Sequence, residues 1–158
     1  MFGSNVWTEL DPEHDAIGAG VRGQRLERPR GATLAAALWE LDPGADSGDY
    51  HFHHGSEEML FVLRGRPMLR TPEGERELAE GEVVHFARGP DGAHQVANRS
   101  GEVVRYVMAA AHPTPEVIEY PERGTLCVMA RTPSQSGEPL FSFHRLADAF
   151  DRDEEDER

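Results

Sequence analysis

Apolar residues are sparse and unpatterned over residues 1–30, and from residue 32 they fall into short runs separated by Gly-rich breaks. TLAAALWEL reads as a strand closed by the turn DPGADSGD. The segments DYHFH, EEMLFVLR, RPMLRT, RELA, EVVHFA, HQVANR and VVRYVMAA follow at intervals of about 8–12 residues, which predicts an antiparallel sandwich or barrel. EMLFVL is apolar at odd and even positions alike, so it is expected as a central strand covered on both faces. TPEGE has the turn chemistry of a hairpin tip.

The ends of the chain read differently. Residues 1–30 are expected as a polar N-terminal arm, with the barrel over 31–112. GAGVRG, residues 18–23, has the G-x-G-x-x-G spacing of a dinucleotide-binding loop. That loop needs a strand before it and a helix after it, but DPEHDA precedes it and Pro29 blocks a helix soon afterwards, so it reads as a turn or arm. After Ala111, VIEY and LCVMA are expected as extra strands over 113–145, either wrapping the barrel or pairing with a second subunit. FHRLADAFDR is a candidate short helix, and residues 146–158 are expected as this helix and an acidic tail.

Composition narrows the function. The chain has 158 residues, enough for one domain with a real core. Its net charge of −13 argues against nucleic acid and against an anionic membrane surface. Part of that charge lies in DRDEEDER, a block expected to be solvated. All 16 basic residues are arginine. Without lysine there is no Schiff base, hence no PLP chemistry, and no phosphate-cradling G-x-x-x-x-G-K loop for a nucleotide. Cys127 is the single cysteine and sits in an apolar run, so it reads as core. The first residues lack the basic and apolar regions of a signal peptide, and no apolar stretch approaches the roughly 18 residues of a membrane span. A cytoplasmic location is the resulting expectation.

HFHHGSEEM, residues 51–59, concentrates the candidate chemistry. His51 and His53 are two apart on a predicted strand, so they share a face about 6.6 Å apart at ~3.3 Å rise per residue. Two such imidazoles can converge on one ion at about 2.0–2.2 Å from each nitrogen. His54 then faces the opposite way. A turn at Gly55-Ser56 allows Glu57 or Glu58 to add a carboxylate, and the spacing alone does not choose between them. A fourth ligand can come from His85 or His94; His94 follows the Gly-rich turn GPDGA, which can aim it inward from a fixed backbone.

These residues resemble the first motif of the cupin superfamily, G-x5-H-x-H-x3–4-E-x6-G. His51, His53, Glu58 and Gly65 fit it, and the family spacing picks Glu58 over Glu57. GEVVHFARGPDGAHQVAN looks like the second motif, G-x5-P-x-G-x2-H-x3-N, through Gly81, Gly89, His94 and Asn98. Residues 66–80 between the motifs are similar to the short spacer of bacterial members. Gly44 precedes His51 by one residue more than the motif, Ala87 stands at its proline, and two extra residues lengthen the turn before His94. Each departure lies in a turn and none removes a ligand.

The resemblance covers residues 32–110. It implies an all-β double-stranded β-helix, a jelly-roll barrel, in which His51, His53, Glu58 and His94 bind one divalent transition metal ion, with Asn98 structural. Three neutral imidazoles and one carboxylate suit Fe or Mn first, with Ni, Zn, Co or Cu(II) also compatible. They leave two of six octahedral positions open for water, O₂ or substrate. Glu58 is also the candidate catalytic base, should it detach. The expected function is a metal-dependent enzyme on a small organic molecule, with oxygenase chemistry ahead of isomerase or epimerase. A non-catalytic small-molecule-binding or sensing protein is the alternative. Trp39, Met68, Arg70, Tyr106 and Met108 are expected to line the pocket, His85 to be an ordinary strand residue, and His54 to lie on the surface. Members of the family are commonly dimers, so a homodimer is expected, with VIEY and LCVMA suited to a two-fold interface.

Overall fold

The computed structural model describes residues 3–111, 113–133 and 138–149. Its strands are β1 (Ala16–Gly18), β2 (Val21–Arg25), β3 (Leu34–Leu41), β4 (Phe52–His53), β5 (Glu58–Arg64), β6 (Met68–Thr71) and β7 (Gly74–Glu77). They continue with β8 (Val83–Phe86), β9 (Gln95–Ala97), β10 (Val104–Ala111), β11 (Glu116–Tyr120), β12 (Thr125–Pro133) and β13 (Pro139–Arg145). One sheet runs β1-β2-β3-β10-β5-β8, and the others run β13-β12-β11-β4 and β7-β6-β9. The bridge His51↔His94 joins the two smaller sheets at a seam, and Asp46↔Ala97 ties the loop after β3 to β9. All the strand pairings are antiparallel, as expected of a jelly-roll barrel.

Alternation sorts the side chains of the large sheet. Leu60 and Val62 of β5, and Val104 and Tyr106 of β10, point between the sheets and join Leu41, Leu69, Leu78, Phe86 and Val96 in the main core. Successive side chains on a strand face opposite ways, so Phe61, Leu63, Leu38 and Val107 face outward. They are covered by Val6, Leu10 and Leu26. EMLFVL is therefore apolar on both faces because both faces are buried. Each fully buried Leu here contributes on the order of 2 kcal/mol from apolar burial.

The polar arm expected over residues 1–30 is in part sheet, which the sequence did not foresee. Residues 16–25 form the β1–β2 hairpin, whose second strand pairs with β3 from Val21↔Leu41 to Arg25↔Ala37. GAGVRG supplies its turn, with Gly20 at φ +70°, a left-handed conformation that glycine adopts without strain. Polar anchors hold the covering segment. Buried Arg105 donates to the Thr8 carbonyl and lies 3.4 Å from Glu40, which also pairs with Arg22 at 3.1 Å. The signal was weak because only a few apolar residues in the segment, such as Val6 and Leu10, turn inward.

The C-terminal expectations divide. β11 and β12 form as foreseen and wrap their own barrel: Ile118 pairs with His53 and Glu119 with Phe52. The candidate helix is only partly described, since residues 150–152 lie outside the described residues, and its start is corrected. Phe143–Arg145 belong to β13, which pairs with β12, and only Ala147–Ala149 form a short 3-10 turn. The alternating FSFHR fits a strand. His112 and the acidic residues 150–158 lie outside the described residues. Among the described residues, no helix is long and apolar enough to cross a membrane.

Candidate metal centre

Four elements deliver the side chains that the two histidine-bearing segments nominate. His51 precedes β4 and His53 ends it; Glu58 begins β5; His94 lies between a 3-10 turn (Pro90–Gly92) and β9. His51 and His94 face each other across the seam, where each amide donates to the other's carbonyl at 3.1 and 2.9 Å. This places two ligands by backbone alone. Glu58 shares the inward face of β5 with Leu60 and Val62, so alternation turns it inward and turns Glu57 out. Glu57 is half exposed and pairs with His85 and Arg88.

His51, His53 and Glu58 each present a ligand atom within 4.8 Å of one another. His94 joins through Nε2, 3.2 Å from Glu58 Oε2, while His53 Nε2 lies 3.3 Å from the same oxygen. The ring centroids of His51 lie 5.2 Å from His53 and 4.8 Å from His94. His94 is fixed further by stacking on Phe86 at 3.8 Å.

The ring nitrogens show whether a cation fits. His51 Nδ1 donates to the Asp49 carbonyl at 2.8 Å, and His94 Nδ1 donates to the Gly92 carbonyl at 2.9 Å. Each therefore keeps its Nε2 lone pair free for a ligand. His94 Nε2 is buried without a hydrogen-bond partner, and so is His53 Nδ1. Imidazole lone pairs gathered around a carboxylate oxygen repel unless a positive charge sits among them. The donor set of three nitrogens and one oxygen fits a divalent transition metal.

Ionisation agrees with that reading. Burial, with the neighbouring His94 second, pushes His51 down to about 4, and burial also holds His53 below the usual imidazole range. Both are neutral at pH 7, as ligands must be. Burial alone would raise Glu58, but its contacts with His94 and His53 outweigh burial and hold the carboxyl below its usual range.

Glu116 is the residue that the sequence did not disclose. It is buried, accepts from the Gly55 amide at 3.0 Å and from the Ser56 hydroxyl, and lies 3.8 Å from the unpartnered His53 Nδ1. Gly55 is required for this approach: a Cβ there would come 2.8 Å from Pro113 Cγ and 3.3 Å from a Glu116 oxygen. Gly92 is similarly constrained, since a Cβ would stand 1.7 Å from the Ala87 carbonyl oxygen. A carboxylate behind a metal-bound histidine orients the ring and raises its basicity. Glu116→Gln is expected to weaken metal binding about 10-fold or more. Titration of the metal-free protein with Co²⁺ checks this, and unchanged affinity would contradict it.

A cavity of about 700 Å³ opens beside the cluster. Glu58 and Glu116 reach it, Trp39, Met108 and Met129 line it, and Arg25 and Arg28 also contribute. Tyr106 packs behind it in the core, stacked on Trp39 at 6.4 Å. Met68, Arg70 and Tyr106 do not line this cavity, contrary to expectation; Arg70 pairs with Glu122 and lies over Tyr50. His85 and His54 are about half exposed and paired with Glu57 and Glu119. Asn98 is wholly buried and structural: its amide donates to the Leu41 and Glu102 carbonyls, and its oxygen accepts from Ser100. Cys127 is buried, as its apolar run foretold.

The architecture defines a small antiparallel jelly-roll barrel with an internal histidine–carboxylate cluster. Residues 37–110 match the Cupin_2 model, described as Cupin domain, and this part of the chain is a cupin domain. No protein of curated function matches the chain. Among solved structures, a sugar phosphate isomerase of the cupin superfamily from Silicibacter pomeroyi DSS-3 is 22% identical with a TM-score of 0.70, over 87% of this chain and 92% of that one. A Cupin 2 conserved barrel domain protein from Salinispora arenicola is 24% identical with a TM-score of 0.53, over 68% and 89%. The polyketide cyclase RemF from Streptomyces resistomycificus is 21% identical with a TM-score of 0.54, over 68% and 76%. At these identities the likeness is one of fold.

Proposed function

We propose that the protein is a metal-dependent enzyme acting on a small hydroxylated carbonyl compound, and that its reaction is an isomerisation or epimerisation. The observation that carries this reading is the double position of Glu58, which belongs to the ligand cluster and also faces the 700 Å³ cavity. A molecule in the cavity thus meets the cluster directly. His51, His53, Glu58 and His94 would hold the ion, and the ion would supply Lewis-acid polarisation of a carbonyl or hydroxyl.

The chain supplies the rest. Glu58, ionised at neutral pH, can take up a proton from a substrate carbon. Its depressed pKa makes it a weak base, so the transfer suits a carbon already acidified by a polarised carbonyl. Trp39, Met108 and Met129 limit water around the reacting atoms. Glu116, 3.8 Å from His53 Nδ1, would orient that ring once its Nε2 binds the ion.

Open coordination positions alone favoured an oxygenase. The cavity shifts the order, because it brings two carboxylates and two arginines to one small volume. That polarity suits hydroxylated substrates, and the name of the S. pomeroyi protein with the matching fold supports the same order.

The test is proton exchange in D₂O. Manganese-loaded protein is incubated with small aldoses, ketoses and hydroxy-ketones, and the products are followed by proton NMR. Deuterium is expected beside the carbonyl, with loss of the activity in Glu58→Gln. Oxygen consumption matching substrate loss, without deuterium uptake, would overturn the isomerase reading and restore the oxygenase.

A further inference from the structure

We propose that Arg25 and Arg28 form an oxyanion-binding subsite in the cavity, so that the substrate is a small polyol carrying a terminal phosphate or carboxylate. The identity of the reacting end rests on the isomerase reading above; the binding of the anionic end does not.

Charge pairing singles these residues out. The chain carries 29 acidic residues against 16 arginines, so an arginine without an acidic partner is unexpected. Every arginine from Arg64 to Arg123 is ion-paired in the described structure, and so are Arg22 and Arg145. Among described side chains, the arginines without such a pair are Arg25, Arg28 and Arg30, all in the segment that leads from β2 to β3. Arg28 donates to the Ala32 carbonyl, which fixes the side chain without neutralising it. Arg25 and Arg28 line the cavity and Arg30 does not.

The surroundings fit a bound anion. Arg25 ends β2 and is held in register opposite Ala37, so its backbone is anchored in the sheet. Ala35, Ala36 and Ala37 line the same cavity with the smallest side chains, leaving room beside the guanidinium groups. A guanidinium fork matches phosphate or carboxylate oxygens two at a time, and the exposed Arg25 is open to a ligand entering the cavity. Glu58 and Glu116 carry the opposite charge within the same cavity and repel an anion. A ligand with one anionic end and one hydroxylated end is thereby oriented, its charge at the arginines and its hydroxyls toward Glu58.

The experiment measures binding rather than turnover. Glycerol 3-phosphate, glycerate and glycerol are titrated calorimetrically into cobalt-loaded wild-type protein, R25Q/R28Q and R30Q. For the wild type, at least one charged probe is expected to bind about 10-fold or more tightly than glycerol. A preference between phosphate and carboxylate identifies the natural group. The advantage is expected to collapse in R25Q/R28Q and to persist in R30Q, with cobalt content and circular dichroism unchanged in both. Equal binding of charged and neutral probes overturns the subsite, as does no binding of either anion at millimolar concentration or an undiminished preference in R25Q/R28Q. Anion binding without proton exchange would leave the subsite standing and remove the isomerase reading, so the two fail separately.

Discussion

Replacing His53 by alanine is expected to strip the protein of most of the divalent metal it would bind while the barrel stays folded. His53 is the hub of the cluster: Nε2 lies 3.3 Å from Glu58, and Nδ1 lies 3.8 Å from Glu116. Alanine would remove one of the four proposed donors and leave Glu116 with no imidazole to orient. The loss in affinity should exceed the 10–100-fold typical of outer partners. The main core of Leu41, Leu60, Val62, Leu69 and their neighbours does not include His53, so the fold does not depend on it. Elemental analysis of protein purified without a metal-charged column, beside a thermal melt, checks both halves. Metal content within twofold of the wild type would count against the assignment.

The second large effect is one of pH, read on metal-free protein in the presence of a chelator. His51 falls from an ordinary 6.5 to about 4 on folding because it is buried beside other imidazoles. Between those values the unfolded chain binds a proton that the folded chain refuses. Stability is therefore fully present above pH 6.5 and is lost as pH falls toward 4. At about 1.4 kcal/mol per unit, His51 alone accounts for on the order of 3 kcal/mol. His53 is lowered by burial and acts in the same direction. Glu58, also lowered, adds a loss at still lower pH. Melting temperatures recorded from pH 7.5 to 4.5 should fall steadily below about 6.5. A flat profile would show that the imidazoles are not buried as neutral groups.

Much of this was legible in the chain, for identifiable reasons. Strands announce themselves through short apolar runs and Gly-rich breaks, and β3, β5, β10, β11 and β12 all form where the pattern placed them. The ligand candidates were legible because they are local: His51 and His53 share one strand face, and His94 follows a turn with tightly constrained glycine. What could not be read depends on distant pairing. Glu116 looks like any acid in a Pro-rich stretch until β11 pairs with β4 and brings it under His53. Arg25 looks like one basic residue among many until its lack of a partner can be compared with its neighbours. The N-terminal hairpin was hidden because its strands are short and half exposed. The candidate helix was begun at Phe143 because HRLADA also supports a helical reading, whereas Phe143–Arg145 pair with β12.

The rung between His51 and His94 ties the chain just before β4 to the chain just before β9, and the backbone bonds from Ser47 to Val96 and from Gly89 to His53 run beside it. Any ion gripped from both sides of that rung would be a clasp as well as a reagent. It would cross-link two remote stretches of chain, and the folded form would gain from whatever binds it and leaves the unfolded form alone. Metal-loaded protein would then be expected to melt at a higher temperature than metal-free protein.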